Sequence, residues 1–348
     1  MKKIAVVLFN LGGPDSLLAV KPFLFNLFKD PAILCLPTPI RYFLAFLLST
    51  FRKKKAQEIY KIMGGRSPLL ENTYAQAKSI EKKLKNERKL KNKRVFKVFV
   101  SMRYWHPFFK ETLQDISEFN PDEILLLPLY PQFSTTTTAS SLKEALEILK
   151  KTNIPIKSIC CYPTLTGFID GIFDLTQDIL KKLTKERTSA RILYVAHGLP
   201  LSIVKSGDPY PEQLLLSVAA LTSKIDTSFQ DGLFSFDLCY QSKVGPLPWL
   251  KPSLGEELQR ASLEKIGVII IPISFVSEHS ETLVELDLEY LAVANSLNLP
   301  FYIRIPTVSC HPKFVEGLKD MILKKTSQEN PSQKTSTCLC SKFVINCK

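Results

Sequence analysis

The chain has 348 residues, 45% of them hydrophobic, enough to bury a large core and long enough for two domains or two fused halves. Lys and Arg number 46 against 33 Asp and Glu, a formal net charge of +13 that favours an anionic partner. Nucleic acid is not that expected partner, because the basic runs at 52–55 and 82–97 lack the interleaved aromatics of a base-stacking surface. The second run is expected to be a solvated helix end and loop. No window approaches 18 consecutive apolar residues, so no membrane span is expected. The apolar start at 4–8 is too short for a signal peptide and lacks a small-residue cleavage site. Eight cysteines without a secretion signal are expected to be reduced thiols or metal ligands rather than a disulfide framework. The expected location is therefore cytoplasmic, in solution or peripheral on the inner membrane surface.

In chain order, residues 4–9 read as a buried strand closed by the turn Asn10-Leu11-Gly12-Gly13-Pro14. Residues 39–51 are apolar on too many sides for a surface helix, and four cations follow at once. That is the pattern of a segment dipping into anionic headgroups, with a core helix carrying a basic cap as the alternative. Tyr60 precedes Gly64-Gly65-Arg66-Ser67-Pro68, where Ser67 is the candidate N-cap of a helix over 69–84. Strands are expected at 95–101 and 124–129, ending in Met102-Arg103-Tyr104-Trp105-His106-Pro107 and Tyr130-Pro131-Gln132. Threonines 135–138 are expected to cap a helix over 140–150.

A second run of elements begins with a strand at 156–160 and a helix ending near 183. Then come strands at 192–196, closed by His197-Gly198-Leu199-Pro200, and at 236–240, closed by Gln241-Ser242. Gly207-Asp208-Pro209-Tyr210-Pro211 opens the helix between them. Strands at 266–273 and 302–305 and a helix at 313–324 complete the run. Alternating strands and helices predict an α/β fold with parallel sheets covered on both faces. Two similar halves are expected, 1–160 and 161–310, then a C-terminal helix at 311–325 and a polar, mobile tail at 326–348.

The chemistry concentrates at 277–290. Glu281, Glu285 and Glu289 are four apart, so on a helix they form one drifting acidic stripe, whose mutual repulsion costs a few tenths of a kcal/mol per pair. A solvated acidic face is the ordinary reading of such a stripe. This one, however, starts at the C-terminal end of a fully apolar strand, where open α/β sheets bind ligands. His197 stands on a strand-end turn shaped by Gly198 and Pro200. A histidine with a carboxylate ladder can pass protons or hold a divalent metal. His279 is expected either to compete for that work or to orient the helix start, His106 to shape its loop, and His311 to stand without chemical company. The strand ends of both halves are expected to face one aromatic cleft with an acidic wall and a histidine opposite, suited to a flat apolar ligand that reacts with a cation. No HExxH, P-loop, GxSxG or GxGxxG pattern is present, so proteolysis, nucleotide transfer, acyl transfer and hydride transfer lack support. Cys338, Cys340 and Cys347 match neither ferredoxin spacing, which favours incidental thiols over an iron–sulfur cluster.

Taken together, the turns at 10–14, 103–107, 130–132, 195–200, 207–211, 241–246 and 248–250, and the stretch 275–290, resemble the ferrochelatase family over nearly the whole chain. The resemblance implies two Rossmann-like halves around a porphyrin cleft, insertion of Fe²⁺ into protoporphyrin IX, and no nucleotide cofactor. It implies His197 as the base beside the ring centre and Glu281, Glu285 and Glu289 as an acidic ladder on a locally widened helix. The implied iron site, weak and open, pairs Glu281 with His197 across the cleft. Leu11, Tyr60, Ser67, Arg103, Tyr104 and Trp249 match porphyrin-binding positions. Residues 39–51 match the family's hydrophobic lip, which makes 39–55 the expected membrane contact. In animal members a cluster-binding cysteine follows the Tyr-Pro-Gln turn, but here Ser134 and four threonines stand there. A [2Fe-2S] cluster would require Cys338, Cys340 and Cys347 together with Cys160 or Cys161. The alternatives are a coproporphyrin or other tetrapyrrole chelatase and a non-catalytic porphyrin or haem carrier. Monomer and dimer are left open.

Overall fold

Strand β1 (Lys2–Asn10) is buried from Ile4 to its end, which requires partners on both edges and cover on both faces. In the computed structural model, which describes residues 1–87, 94–230 and 232–327, it has both. It pairs in parallel with β2 (Arg94–Met102) in the register Lys2↔Arg94 to Asn10↔Met102, and with β3 (Glu123–Pro128) from Ile4↔Glu123 to Phe9↔Pro128. A short β4 (Ile156–Ser158) pairs with β3, so the sheet order is β2-β1-β3-β4. This strand, expected to open the second run, instead closes the first sheet.

Among the described residues, chain contacts divide the molecule into two compact units, Met1–Tyr162 with 315–327, and Pro163–Phe314. The first unit carries α1 (Val20–Phe28), α2 (Thr38–Ile62), α3 (Leu69–Asn86), α4 (Phe109–Phe119) and α5 (Thr138–Leu149). Its core packs Ala5, Val7, Phe9, Phe109, Ile124, Leu126, Phe133 and Leu142 into one apolar cluster. The second unit runs α6 (Thr166–Lys185), β5 (Ala190–His197), α7 (Leu201–Lys205), α8 (Tyr210–Ser228), β6 (Phe234–Gln241), α9 (Leu254–Leu263) and β7 (Gly267–Pro272). A π-helix (Glu281–Tyr290), α10 (Leu291–Ser296) and β8 (Tyr302–Arg304) complete it. Its parallel sheet has the order β6-β5-β7-β8, which repeats the pattern of the first. The last helix, α11 (Pro312–Ser327), returns to the first unit through ion pairing of Lys83 with Glu316 at 3.0 Å and donation from Arg94 to Ser327 at 2.9 Å.

Several local expectations are corrected. Lys97 and Arg94 belong to β2 rather than to a loop, and Lys97 lies 5.0 Å from the Phe99 ring centroid. Pro68, not Ser67, is the cap residue of α3; Ser67 Oγ accepts from Leu69 N–H at 3.3 Å. Helix α5 starts at Thr138, and its cap residue Thr137 makes no side-chain cap hydrogen bond. Instead Ala139 N–H reaches the Ser134 carbonyl at 3.1 Å. The tail at 328–348, with Cys338, Cys340 and Cys347, lies outside the described residues.

Candidate active site

Strand register assembles the centre of this site. β5 pairs with β6 from Ala190↔Phe234 to His197↔Gln241, so His197 and Gln241 finish side by side at the C-terminal rim and Ser242 is the next residue. The chain goes from β5 to β6 on one side and then crosses back past β5 to β7 on the other, which makes this rim the switch point of the sheet. Space is tight at Gly198: a Cβ would lie 3.1 Å from Trp249 Cε3 and 3.2 Å from the Gln241 carbonyl oxygen, so any side chain would push on one of them. The His197 backbone is held from two sides. Its N–H donates to Ser274 Oγ at 3.4 Å, and its carbonyl accepts from the buried Tyr210 hydroxyl at 3.2 Å.

The carboxylates arrive on the π-helix. Glu281 Oε2 is 2.8 Å from His197 Nδ1 and 3.3 Å from Ser242 Oγ. Glu285 accepts from Ser242 N–H at 2.8 Å and from Ser242 Oγ at 2.5 Å. Gln241 Nε2 donates to the Glu281 carbonyl at 3.1 Å and contacts Glu285 Oε2 at 3.3 Å. Ser242 therefore bridges both carboxylates, and it does so at φ 64°, a left-handed conformation uncommon for serine. Its hydroxyl carries one proton and can serve only one ionised carboxylate at a time. With Glu285 protonated, a continuous line Glu285–Ser242–Glu281–His197 is satisfied.

The electrostatics favour that distribution of protons. Burial penalises ionised Glu281, but the His197 charge and hydrogen bond, then His279 and Ser242, overcome it and hold its pKa down to about 2. Burial and the Glu281 charge push Glu285 up to about 7, against the opposing pull of Ser242 and His197. Burial alone would lower the His197 pKa, yet the charges of Glu281 and Glu285 and the hydrogen bond to Glu281 raise it above the ordinary imidazole value. The unit thus pairs an imidazolium and a carboxylate with a second carboxyl that titrates near neutrality.

Other expected site residues are placed as follows. His197 and Glu281 both belong to the second unit and touch directly, so their pairing is a hydrogen bond within one unit rather than a contact across a cleft. Glu289 is exposed and does not converge with Glu281 and Glu285. His279 starts the helix: its N–H donates to Thr282 Oγ1 at 3.0 Å, and its carbonyl accepts from Leu283 N–H at 2.9 Å. His106 contacts Glu111, in the first turn of α4, at 2.8 Å. His311, expected without company, lies 3.8 Å from Asp174. Trp249 stands beside His197, with ring centroids 6.3 Å apart. In the first unit, Leu11, Tyr60 and Tyr104 share one apolar cluster with Val20, Phe23 and Phe28. Ser67 is buried against Gly13, where a Cβ would come within 2.4 Å of its hydroxyl.

Arg103 is gripped by a buried ionic knot that sequence reading missed. Asp30 Oδ2 accepts from Arg103 Nη2 at 2.8 Å, from the Tyr104 hydroxyl at 2.9 Å and from Ser140 Oγ at 2.5 Å, while Glu144 pairs with Arg103 at 3.2 Å. Ser242 and Gln241 were missed as site residues too. Their signal was their place directly after a strand adjacent to the His197 strand, and it becomes usable only once the register is known. Among the described residues, no group of three or more His, Cys, Asp or Glu side chains is arranged to hold a metal ion. Cys160 Sγ and Cys161 Sγ are 3.5 Å apart, but the three tail thiols needed for a cluster are outside the described residues.

Comparison with known proteins gives the family. The sequence pattern that defines the family described as Ferrochelatase matches residues 3–326. A ferrochelatase of Rickettsia bellii (strain OSU 85-389) is 44% identical over 352 residues, covering 97% of this chain and 95% of that protein. One from Wolbachia sp. subsp. Drosophila simulans (strain wRi) is 47% identical over 325 residues, covering 93% and 99%. Among solved structures, SirB from Bacillus subtilis with Fe³⁺ superposes with a TM-score of 0.53 at 11% identity, covering 93% of this chain and 96% of that one, which is a likeness of fold. A chelatase-type α/β fold of two parallel four-stranded sheets, matched over almost its entire length by this sequence pattern and these relatives, makes the chain a member of the ferrochelatase family.

Proposed function

We propose that this ferrochelatase inserts Fe²⁺ into protoporphyrin IX to form protohaem, with His197, Glu281, Ser242 and Glu285 as its proton- and metal-handling line. The observation that carries the assignment is the unbroken contact chain from His197 through Glu281 and Ser242 to Glu285 at the switch point of the second sheet. Metal insertion releases two pyrrole protons and strips water from the ion, so it needs a base near the ring and a route away from it. In the resting pair, His197 favours the imidazolium and Glu281 the carboxylate. A divalent cation beside Glu281 competes with that proton, because metal ligands must be deprotonated. A carboxyl titrating near neutrality, as Glu285 does, accepts and releases a proton at little cost. Two protein donors, one imidazole and one carboxylate, form a weak site from which the ion can pass on. Leu11, Tyr60, Ser67, Arg103, Tyr104 and Trp249 are assigned to porphyrin binding on the family pattern. Glu289, exposed at the next step of the ladder, is assigned to the solvent end of the route.

Membrane-surface contact belongs to the same proposal. Helix α2 exposes Ile40, Phe43, Phe46 and Phe51 at 51%, 62%, 52% and 78%, and cations follow at 52–55. Among the described residues, no helix is long and apolar enough to cross a membrane. An apolar patch beside cations suits an anionic surface that dissolves the porphyrin and receives the haem. The deciding experiment is anaerobic: protein, protoporphyrin IX and Fe²⁺ are mixed, and porphyrin fluorescence is followed with the haem absorption bands. Turnover beyond one haem per chain, abolished by Glu281→Gln, is expected. A single stoichiometric binding event would mean a carrier, and turnover on coproporphyrin III alone would reassign the substrate.

A further inference from the structure

Wide helices with i→i+5 hydrogen bonds occur mostly as single-turn bulges, so a π-helix running from Glu281 to Tyr290 needs a hold from outside. His197, Gln241 and Ser242 grip it from β5, β6 and the residue after β6. Further hydrogen bonds come from β8, which among the described residues pairs with β7 alone and forms an edge of the sheet. Tyr302 and Arg304 are two residues apart on it and so share one face. Arg304 forks onto Asp287, with Nε donating to Oδ1 at 2.7 Å and Nη2 donating to Oδ2. Its Nη1 donates to Glu278 Oε1 at 2.7 Å, and the same oxygen accepts from Thr307 N–H at 2.8 Å. The Tyr302 hydroxyl donates to the Leu286 carbonyl, inside the π-helix, at 2.9 Å. Glu278 precedes the π-helix and Asp287 lies within it, so Glu281 and Glu285 fall between the two anchors of one guanidinium.

We propose that Arg304, assisted by Tyr302, is the positioning residue that keeps this segment wound as a π-helix and so sets Glu281 against His197 and Glu285 against Ser242. The proposal rests on reading those residues as the active site. Rewinding to an α-helix would turn Glu285 about the axis relative to Glu281, and the two could no longer share Ser242. Arg304 acts only through Glu278 and Asp287. A bidentate fork is what a planar guanidinium supplies and an ammonium does not.

The test uses the full chain, Fe²⁺ and protoporphyrin IX. In Arg304→Met, kcat is expected to fall at least about tenfold with the KM for porphyrin within about twofold, the signature of lost transition-state geometry. Amide exchange over 285–290 should accelerate about tenfold or more, because local opening is no longer resisted. Arg304→Lys should fall between Met and wild type. Arg191→Met is the comparator, since Arg191 pairs with Glu264 at 2.5 Å and Asp237 at 3.3 Å at the opposite end of the same sheet; it should lose stability and keep kcat. A kcat for Arg304→Met within about twofold of wild type, or unchanged exchange, overturns the proposal. If that variant does not fold, Tyr302→Phe decides, with a loss of about threefold in kcat expected and no loss counting against it. Activity in Arg304→Met beside inactivity in Glu285→Gln sinks the clamp alone. Full activity in both Glu285→Gln and His197→Ala overturns it together with the site it serves.

Discussion

His197 is defined by what it touches rather than by its own chemistry. An imidazole at a strand end is ordinary; one hydrogen-bonded to a carboxylate at 2.8 Å, with its backbone held by Ser274 and Tyr210, is fixed in orientation. Replacing it with alanine should reduce kcat by more than about tenfold while porphyrin still binds, because the loss falls on a proton-transfer step. Steady-state kinetics beside fluorescence titration of protoporphyrin checks this, and a variant retaining over about a tenth of the wild-type rate would remove the role. Glu285 offers a test without turnover. Its pKa is raised in the folded chain to about 7, so between the unfolded value and that point the native state binds more protons than the unfolded one. Stability from this group is therefore lost as pH rises, and the full cost is present above about 7. Glu285→Gln should abolish insertion yet raise Tm at pH 8 relative to wild type, by an amount corresponding to about 1–3 kcal/mol, with little gain at pH 4. Equal Tm differences at both pH values would mean that Glu285 ionises normally.

At the scale of elements, α2 and the π-helix both depart from ordinary helices. Helix α2 is 25 residues long and has only Ala45, Ser49 and Tyr60 buried, so most of its length is not held by a core stripe. Lys21 Nζ lies 4.7 Å from the Phe46 ring centroid, which leaves a cation beside an exposed aromatic. Substituting serine for Ile40, Phe43 and Phe46 should weaken co-sedimentation with anionic vesicles by about tenfold while leaving the melting temperature near wild type, since each side chain is exposed. Unchanged co-sedimentation would end the membrane assignment. The two glutamates that matter on the π-helix are legible as part of a period-four stripe, but the winding is not. Hydrogen bonds from Gln241 to the Glu281 carbonyl and from Tyr302 to that of Leu286 join the π-helix to partners 40 and 16 residues away, which no local pattern shows.

Across the whole molecule, the net charge of +13 is a long-range property that no single contact expresses. If it draws the protein to an anionic surface, binding to such vesicles should weaken several-fold between about 0.1 M and 0.5 M salt, as the screening length shrinks below about 10 Å. Binding insensitive to salt would assign the attraction to the apolar patch alone. The two sheets share one strand order, and in both the strand before the first crossover lies interior, β1 in one and β5 in the other. Such repetition follows from alternating apolar strands and amphipathic helices, which is why the α/β class could be read from pattern. Sequence by itself determined the strands, the rim where their polar ends gather, the glutamate stripe, and His197 on its turn, because periodicity and turn chemistry are local. Tertiary structure decided that His197 and Gln241 are register partners, that Ser242 joins two carboxylates, that Asp30 holds Arg103, and that Glu289 stays in solvent. Those facts, and the protonation they impose, depend on desolvation and on partners distant in the chain, and only the packed fold brings such groups within hydrogen-bonding reach.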